Sequence, residues 1–145
     1  MTTYTWQRPA GVTDAHVLAL YRAVGWAAYL KDPTATLAAL TQSAVLWAVT
    51  ADGQLAGLIR GISDGYTILY IQDIIVAPPF QRQHIGTELV HRFLPHFQHV
   101  GQSVLLTDPE EKTKQFYQSL GFREVTPQAY GRAFVLDRRY PPAEL

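Results

Sequence analysis

Two stretches of this chain and one short helix carry residues that could do chemistry. The run Gln81-Arg82-Gln83-His84-Ile85-Gly86-Thr87 leads from an apolar strand through a polar turn into an amphipathic helix. The first N–H groups of a helix lack an intrahelical partner and stand at the positive end of its dipole, so an anion such as a phosphate is stabilised there by geometry and charge together. Arg82 adds a guanidinium, which pairs well with phosphate oxygens. The bland reading of the same run is a polar turn entering a helix. Just upstream, Tyr70, Gln72 and Asp73 interrupt the apolar strand. By simple alternation Asp73 lies between Ile71 and Ile75 on its face, which makes it either a desolvated carboxylate suited to general-base work or a structural acid that caps backbone donors where the sheet splays. Alternation sends Gln72, with Tyr70, to the opposite face, so only one of Gln72 and Asp73 is expected to line a cleft. Further on, KQFYQSLGF from Lys114 to Phe122 places Phe116 and Tyr117 on a short helix that ends at a glycine. Phe116 and Leu120 form its buried stripe, and Tyr117, about 100° round from Phe116, is free to face a cleft.

The elements that must hold these residues follow from caps, turns and periodicity. A strand is expected around Tyr4. Thr13 reads as the N-cap of a helix bearing Val17, Leu20, Tyr21 and Val24 and stopping near Gly25, and Asp32-Pro33 starts a second helix with Leu37 and Leu40 buried. Ala44–Thr50 and Leu55–Ile62 flank an Asp-Gly turn, and Ser63-Asp64-Gly65 precedes a third strand, Tyr66–Val76, giving an antiparallel meander. Pro78 and Pro79 end that strand. A helix from about His84 to Phe97 buries Ile85, Leu89 and Phe93, with Pro95 shortening its end. Ser103–Thr107 reads as a strand parallel to the third, because a helix separates the two. Asp108 and Glu111 resemble a capping box, with Pro109 at the first helical position and Gly121 closing the helix. A last strand, Ala133–Asp137, precedes a polar, proline-bearing tail. The expected class is α+β, one domain over residues 1–145, with a central mixed sheet and about four helices.

Composition narrows the functions. With 12 basic and 12 acidic residues among 145, the chain has no net charge, which argues against nucleic acid as a partner. It has no cysteine, so a disulfide, a thiolate metal site and a thiol nucleophile are excluded. The N-terminus lacks a signal-peptide pattern and no apolar run approaches the ~20 residues of a membrane span, so a cytoplasmic protein without membrane attachment is expected. His91, His96 and His99 crowd one helix end without a clean one-face pair and read as surface or partly packed histidines, with no metal site expected.

YIQDIIVAPPFQRQHIG followed by KQFYQSLGF resembles motifs A and B of the GNAT superfamily of acyl-CoA-dependent N-acetyltransferases, over roughly Leu55 to Val125. The resemblance implies acetyl-CoA as co-substrate, its pyrophosphate held by the backbone of Gln81, Arg82, Gln83, His84, Ile85, Gly86 and Thr87, and its pantetheine along Ile74, Ile75 and Val76, with Phe116 and Tyr117 also at the cofactor. In the family pattern Q/R-x-x-G-x-G/A, Gly86 matches and His84 replaces the first glycine. If His84 keeps helical backbone angles, its N–H still serves. The resemblance further implies Tyr117 as the acid that protonates the leaving thiol, Asp73 as the candidate base, and the Val76 N–H as oxyanion donor. Some members carry a catalytic glutamate on the face of Tyr70 and Gln72, and neither position holds a carboxylate here, so a water-mediated base or an amine that arrives already neutral stays open beside Asp73. Within the superfamily the motifs look most like the glucosamine-6-phosphate N-acetyltransferase branch, where a Glu-Asp pair stands at Gln72 and Asp73.

The implied acceptor is the primary amine of a small molecule, touched by Tyr29, Tyr70 and Gln72. Tyr21, Trp26, Tyr29 and Trp47 either wall an aromatic pocket or pack the core. Two other readings stay open: an acyl-CoA-binding sensor without catalysis, and a protein or peptide acetyltransferase. A homodimer is a family-level expectation.

Overall fold

The computed structural model describes residues 1–140, so the end of the proline-bearing tail lies outside the described residues. Contacts divide the chain into a first unit, Met1–Leu106, and a second that begins at Thr107. The first unit holds a single sheet whose strands lie side by side in chain order: β1 (Thr3–Thr5), β2 (Ala44–Val49), β3 (Leu55–Ser63), β4 (Ile68–Val76) and β5 (Gln102–Leu105). The first four are antiparallel and β5 runs parallel to β4, the mixed sheet expected. Three helices join them: α1 (Asp14–Ala23), α2 (Pro33–Thr41) and α3 (Ile85–Phe93). No helix among the described residues is long and apolar enough to cross a membrane.

Local chemistry accounts for these boundaries. Thr13 Oγ1 accepts from His16 N–H and His16 Nδ1 accepts from Thr13 N–H, a reciprocal cap with histidine in the usual place of glutamate. Asp32 Oδ1 caps Ala35 N–H with Pro33 in the first turn of α2. Pro95 cannot continue the α-ladder, and α3 gives way at Leu94 to a 3₁₀ turn ending at Phe97.

Val45, Trp47, Leu58 and Ile75 pack on one face of the sheet against Val17, Leu20 and Tyr21 of α1 and Leu40 of α2. The other face is covered by α3, which buries Leu89, Val90 and Phe93. Gly61 lies under that helix: a Cβ there would stand 2.9 Å from Leu69 Cδ1 and 3.1 Å from Phe93 Cζ.

Two irregularities of β4 shape the site. The register pairs Arg60 with Asp73 and the next residue, Gly61, with Ile71, so Gln72 is the extra residue of a β-bulge. Adjacent β3 residues face opposite sides, which puts Asp73 on the α1 side with Arg60 and Ile71 on the α3 side with Gly61. Asp73 therefore does not sit between Ile71 and Ile75 on one face, as uninterrupted alternation predicts. The second irregularity is that β5 pairs only with Ile68–Ile71, leaving β4 from Gln72 to Val76 without a ladder partner on that edge among the described residues.

The second unit contains α4 (Glu111–Ser119). It starts later than its predicted cap: Asp108 Oδ1 accepts from Glu110 N–H in a tight turn, so Asp108 and Glu111 form no capping box and Pro109 lies outside the helix. Gly121, at φ +95°, closes the helix as predicted. The strand expected at Ala133–Asp137 is absent. Phe134, Val135 and Leu136 are exposed and have no ladder among the described residues, because an apolar β-prone run forms a strand only where a partner strand completes it.

Candidate functional site

The bulge assembles a buried polar cluster on the α1 side. Asp73 is 1% exposed and its carboxylate receives three donors: Tyr21 Oη at 2.8 Å and Arg60 Nε at 2.7 Å on Oδ2, and Tyr29 Oη at 2.5 Å on Oδ1. Arg60 is itself buried and also donates from Nη1 to Ser43 Oγ at 3.0 Å. Burial alone would lower the Arg60 pKa, but the adjacent Asp73 charge and hydrogen bond outweigh it and the net direction is up. The phenols of Tyr21 and Tyr29 are both pushed up, first by desolvation and then by Asp73, so each keeps its proton and donates it.

Tyr29 reaches this cluster from a 3₁₀ turn, Ala27–Leu30, held to α2 by Thr36 Oγ1 donating to the Tyr29 carbonyl. Its phenol also accepts from Gln72 Nε2 at 3.0 Å. Gln72 and Asp73 thus meet on the same hydroxyl, whereas uninterrupted alternation puts them on opposite faces; the extra residue at the bulge turns both toward the α1 side. Tyr70, one residue before Ile71, emerges on that side as well and is half-buried. Of the aromatics, Tyr21 and Trp47 belong to the core, while Trp26 and Tyr29 are half-buried with ring centroids 6.0 Å apart.

At the far end of β4, Ala77 N–H bonds to Ala56 O at 2.8 Å, so the N–H and C=O of Val76 face the opposite, unpaired edge. Gln81 Nε2 donates to Val76 O at 3.0 Å and ties the turn to the strand end. Ile75 is buried; Ile74 and Val76 are half-buried. In the turn Arg82 and His84 both take left-handed backbone angles, each at φ 63°. His84 is the N-cap of α3, not a helical residue as the conditional expectation had it. It adopts instead the conformation a glycine favours, at a cost of roughly 1–2 kcal/mol for a residue with a Cβ. From Arg82 through Thr87 no backbone N–H has an acceptor among the described residues, the first helical bond being Glu88 N–H to His84 O at 3.0 Å. Six donors in sequence, two at left-handed residues and the rest at a helix start, suit an anion. Gly86 is the second residue of α3 and Arg82 is exposed.

In the second unit, Phe116 and Tyr117 contact edge to face at 5.0 Å, and Tyr117 meets Phe122 at 5.9 Å. Phe116 and Leu120 are half-buried, so the stripe predicted for α4 is only partly covered. Burial, with the Asp108 charge second, pushes the Tyr117 phenol up to about 12, and its hydroxyl has no hydrogen bond among the described residues. The histidines serve packing and turns: His96 tilts against Trp6 at 4.4 Å, and His99 Nε2 lies 2.7 Å from Gly65 O.

Sequence reasoning passed over Arg60 and the role of Tyr21. The signal was present: a lone cation within LAGLIRGIS requires a buried anion on a neighbouring strand.

Known proteins of this shape are numerous. The family described as acetyltransferase (GNAT) domain matches residues 17–136. A GNAT-family acetyltransferase from Streptococcus pneumoniae is 34% identical, with 95% of this chain and 99% of that one covered and a TM-score of 0.78. An acetyltransferase structure from Deinococcus radiodurans is similar at 24% identity, covering 95% and 89%, with a TM-score of 0.75. At 18% identity the fold is shared with AAC(6')-Iy, solved with the bisubstrate analogue CoA-S-monomethyl-acetylneamine, covering 95% and 97% at a TM-score of 0.61. A comparison with proteins of curated function finds no match. This chain belongs to the GNAT family of acetyltransferases.

Proposed function

We propose that this protein transfers acetyl from acetyl-CoA directly to the amine of a small molecule. The observation that carries the reading is the run of six unpartnered N–H groups from Arg82 to Thr87, lying next in sequence to the open edge of β4. A diphosphate is acceptor-rich and offers those donors what they lack, and the exposed guanidinium of Arg82 offsets part of its charge. The free edge at Ile74–Val76 presents backbone groups in the pattern an extended chain of amides would complete. Acetyl-CoA supplies an activated acyl group on sulfur.

The Val76 N–H, turned to the open edge, donates to the acyl oxygen as negative charge develops there. The neutral amine nitrogen forms the new C–N bond, the C–S bond breaks, and the departing sulfur takes its proton from the Tyr117 phenol, a role assigned on the family pattern. The surplus proton of the amine leaves to water, and the Tyr117 phenolate takes a proton back from water, so the protein ends as it began. Asp73 receives two phenols and a guanidinium, not the backbone donors expected of a structural acid, and in this reading its carboxylate anchors the acceptor side.

Calorimetry with acetyl-CoA and with CoA, followed by thiol release over a panel of amines, tests the reading. Micromolar binding and acceptor-dependent release are expected, and absence of heat at millimolar ligand overturns it.

A further inference from the structure

The direction of the hydrogen bonds around Tyr29 determines which atom of Gln72 is offered to an acceptor. A carboxylate can only accept, so the single proton of the Tyr29 hydroxyl goes to Asp73 Oδ1. The Tyr29 oxygen is then left only to accept, and Gln72 must present its NH₂ to it, as the 3.0 Å contact from Nε2 has it. Gln72 Oε1 therefore turns away from Tyr29. It takes no hydrogen bond among the described residues, and no buried side-chain polar atom there lacks a partner, so Oε1 is open to solvent. The bulge holds this amide in place, and the ion pair of the cluster is internally neutral: its one cation, Arg60, and its one anion, Asp73, are paired at 2.7 Å.

We propose that Gln72 Oε1 is the acceptor that receives an N–H of the incoming substrate, oriented by Asp73 through Tyr29, and that the site selects amines that are already uncharged near neutral pH, the weakly basic arylamine class. The inference rests on the acetyl-transfer reading above. A carbonyl dipole holds a neutral N–H well and has little to offer a fully charged ammonium, for which a carboxylate would be the fitting partner. An alkylamine with a pKa near ~10 is neutral in only about one molecule in a thousand at pH 7. An arylamine, whose lone pair is drawn into its ring, is neutral there and needs no base to prepare it, in keeping with an Asp73 whose lone pairs are engaged. The rings of Trp26 and Tyr29 stack on each other and are only half-buried, so part of their surface is left for such a ring to cover.

The test compares 4-methylaniline with its isomer benzylamine in thiol release, on the full-length protein and on three variants, each checked for CoA binding and folding. At pH 7 kcat/KM for 4-methylaniline is expected to exceed that for benzylamine at least tenfold, and benzylamine to gain on raising the pH to 9 while 4-methylaniline stays flat. Gln72→Leu should raise KM for 4-methylaniline by roughly five- to tenfold, the loss of one hydrogen bond, with CoA affinity kept. Tyr29→Phe, which removes the hydroxyl that fixes the amide, should raise the same KM with a smaller change in kcat. Gln72→Glu should shift the preference toward benzylamine by tenfold or more. Equal or better use of benzylamine at pH 7, or indifference of the preference to all three substitutions, overturns the inference while leaving acetyl transfer standing. Failure of every amine to release thiol would remove both.

Discussion

Arg60 Nε and Asp73 Oδ2 meet at 2.7 Å across β3 and β4, with side chains 7% and 0% exposed. Charges this dry are sustained when they are paired and further hydrogen-bonded, and here Tyr21, Tyr29 and Ser43 add bonds to the pair. The pair therefore acts as a fixed point from which the Tyr29 phenol and the Gln72 amide take their orientation.

Removing one member of that pair leaves a buried charge without its counterpart. Arg60→Met is expected to cost about 3–5 kcal/mol, and the double variant with Asp73→Leu less than the sum of the two single changes. Urea denaturation of the three variants measures it, and strict additivity would show that the two charges do not interact.

Gly57 faces the carbonyl of Ile75 so closely that a Cβ would stand 2.3 Å from the oxygen. Gly57→Ala must push β4 aside just before its open edge ends. A loss of about 1–3 kcal/mol in stability is expected, with weaker CoA binding, since the Val76 N–H would move with the strand. Unchanged stability would mean that the two strands are freer to separate than their pairing implies.

His84 pays for a Cβ at a left-handed position. His84→Gly is expected to leave CoA binding intact and to change stability by no more than about 1 kcal/mol, strain relief being offset by the entropy of glycine. His84→Val, with a branched Cβ, should lose stability and CoA affinity together. Calorimetric titration of both variants decides the point, and a His84→Gly protein unable to bind CoA would assign the imidazole itself to the ligand.

Tyr117→Phe is expected to lower kcat by about 10²-fold or more while CoA affinity holds. Because the folded phenol is pushed up to about 12 from an ordinary 10, it remains a proton donor across the working range, and the activity profile should show no alkaline limb from this group below about pH 11. The sign for stability follows: a raised folded pKa contributes fully below pH 10 and is lost as pH rises from about 10 to about 12. Base titration of the wild type against Tyr117→Phe measures the difference, and coincident curves would contradict a buried phenol.

Much of the architecture was legible because local rules settle it. The caps at Thr13 and Asp32, the Asp-Gly hairpin, the break at Pro78-Pro79 and the shortening at Pro95 each act within a few residues. The bulge at Gln72 was not legible, since a register shift depends on how β3 and β4 pair, and one extra residue inverts every facing upstream of it. For the same reason alternation misplaced Ile71 relative to Asp73 and separated Gln72 from its neighbour. The turn from Gln81 into α3 could be read, but not the left-handed His84, because glycine is normally the marker of that conformation. Ala133–Asp137 shows the converse failure, an apolar run without a strand beside it.

The single added residue in β4 also separates two tasks that would otherwise constrain each other. On the proposed reading, changes around Gln72, Tyr29 and Trp26 alter which molecule is admitted, while the main-chain donors from Val76 to Thr87 stay in place as long as the residues at 82 and 84 tolerate their left-handed angles. If that reading holds, a lineage carrying this arrangement can diversify its choice of amine by point substitution and leave the nucleotide end untouched.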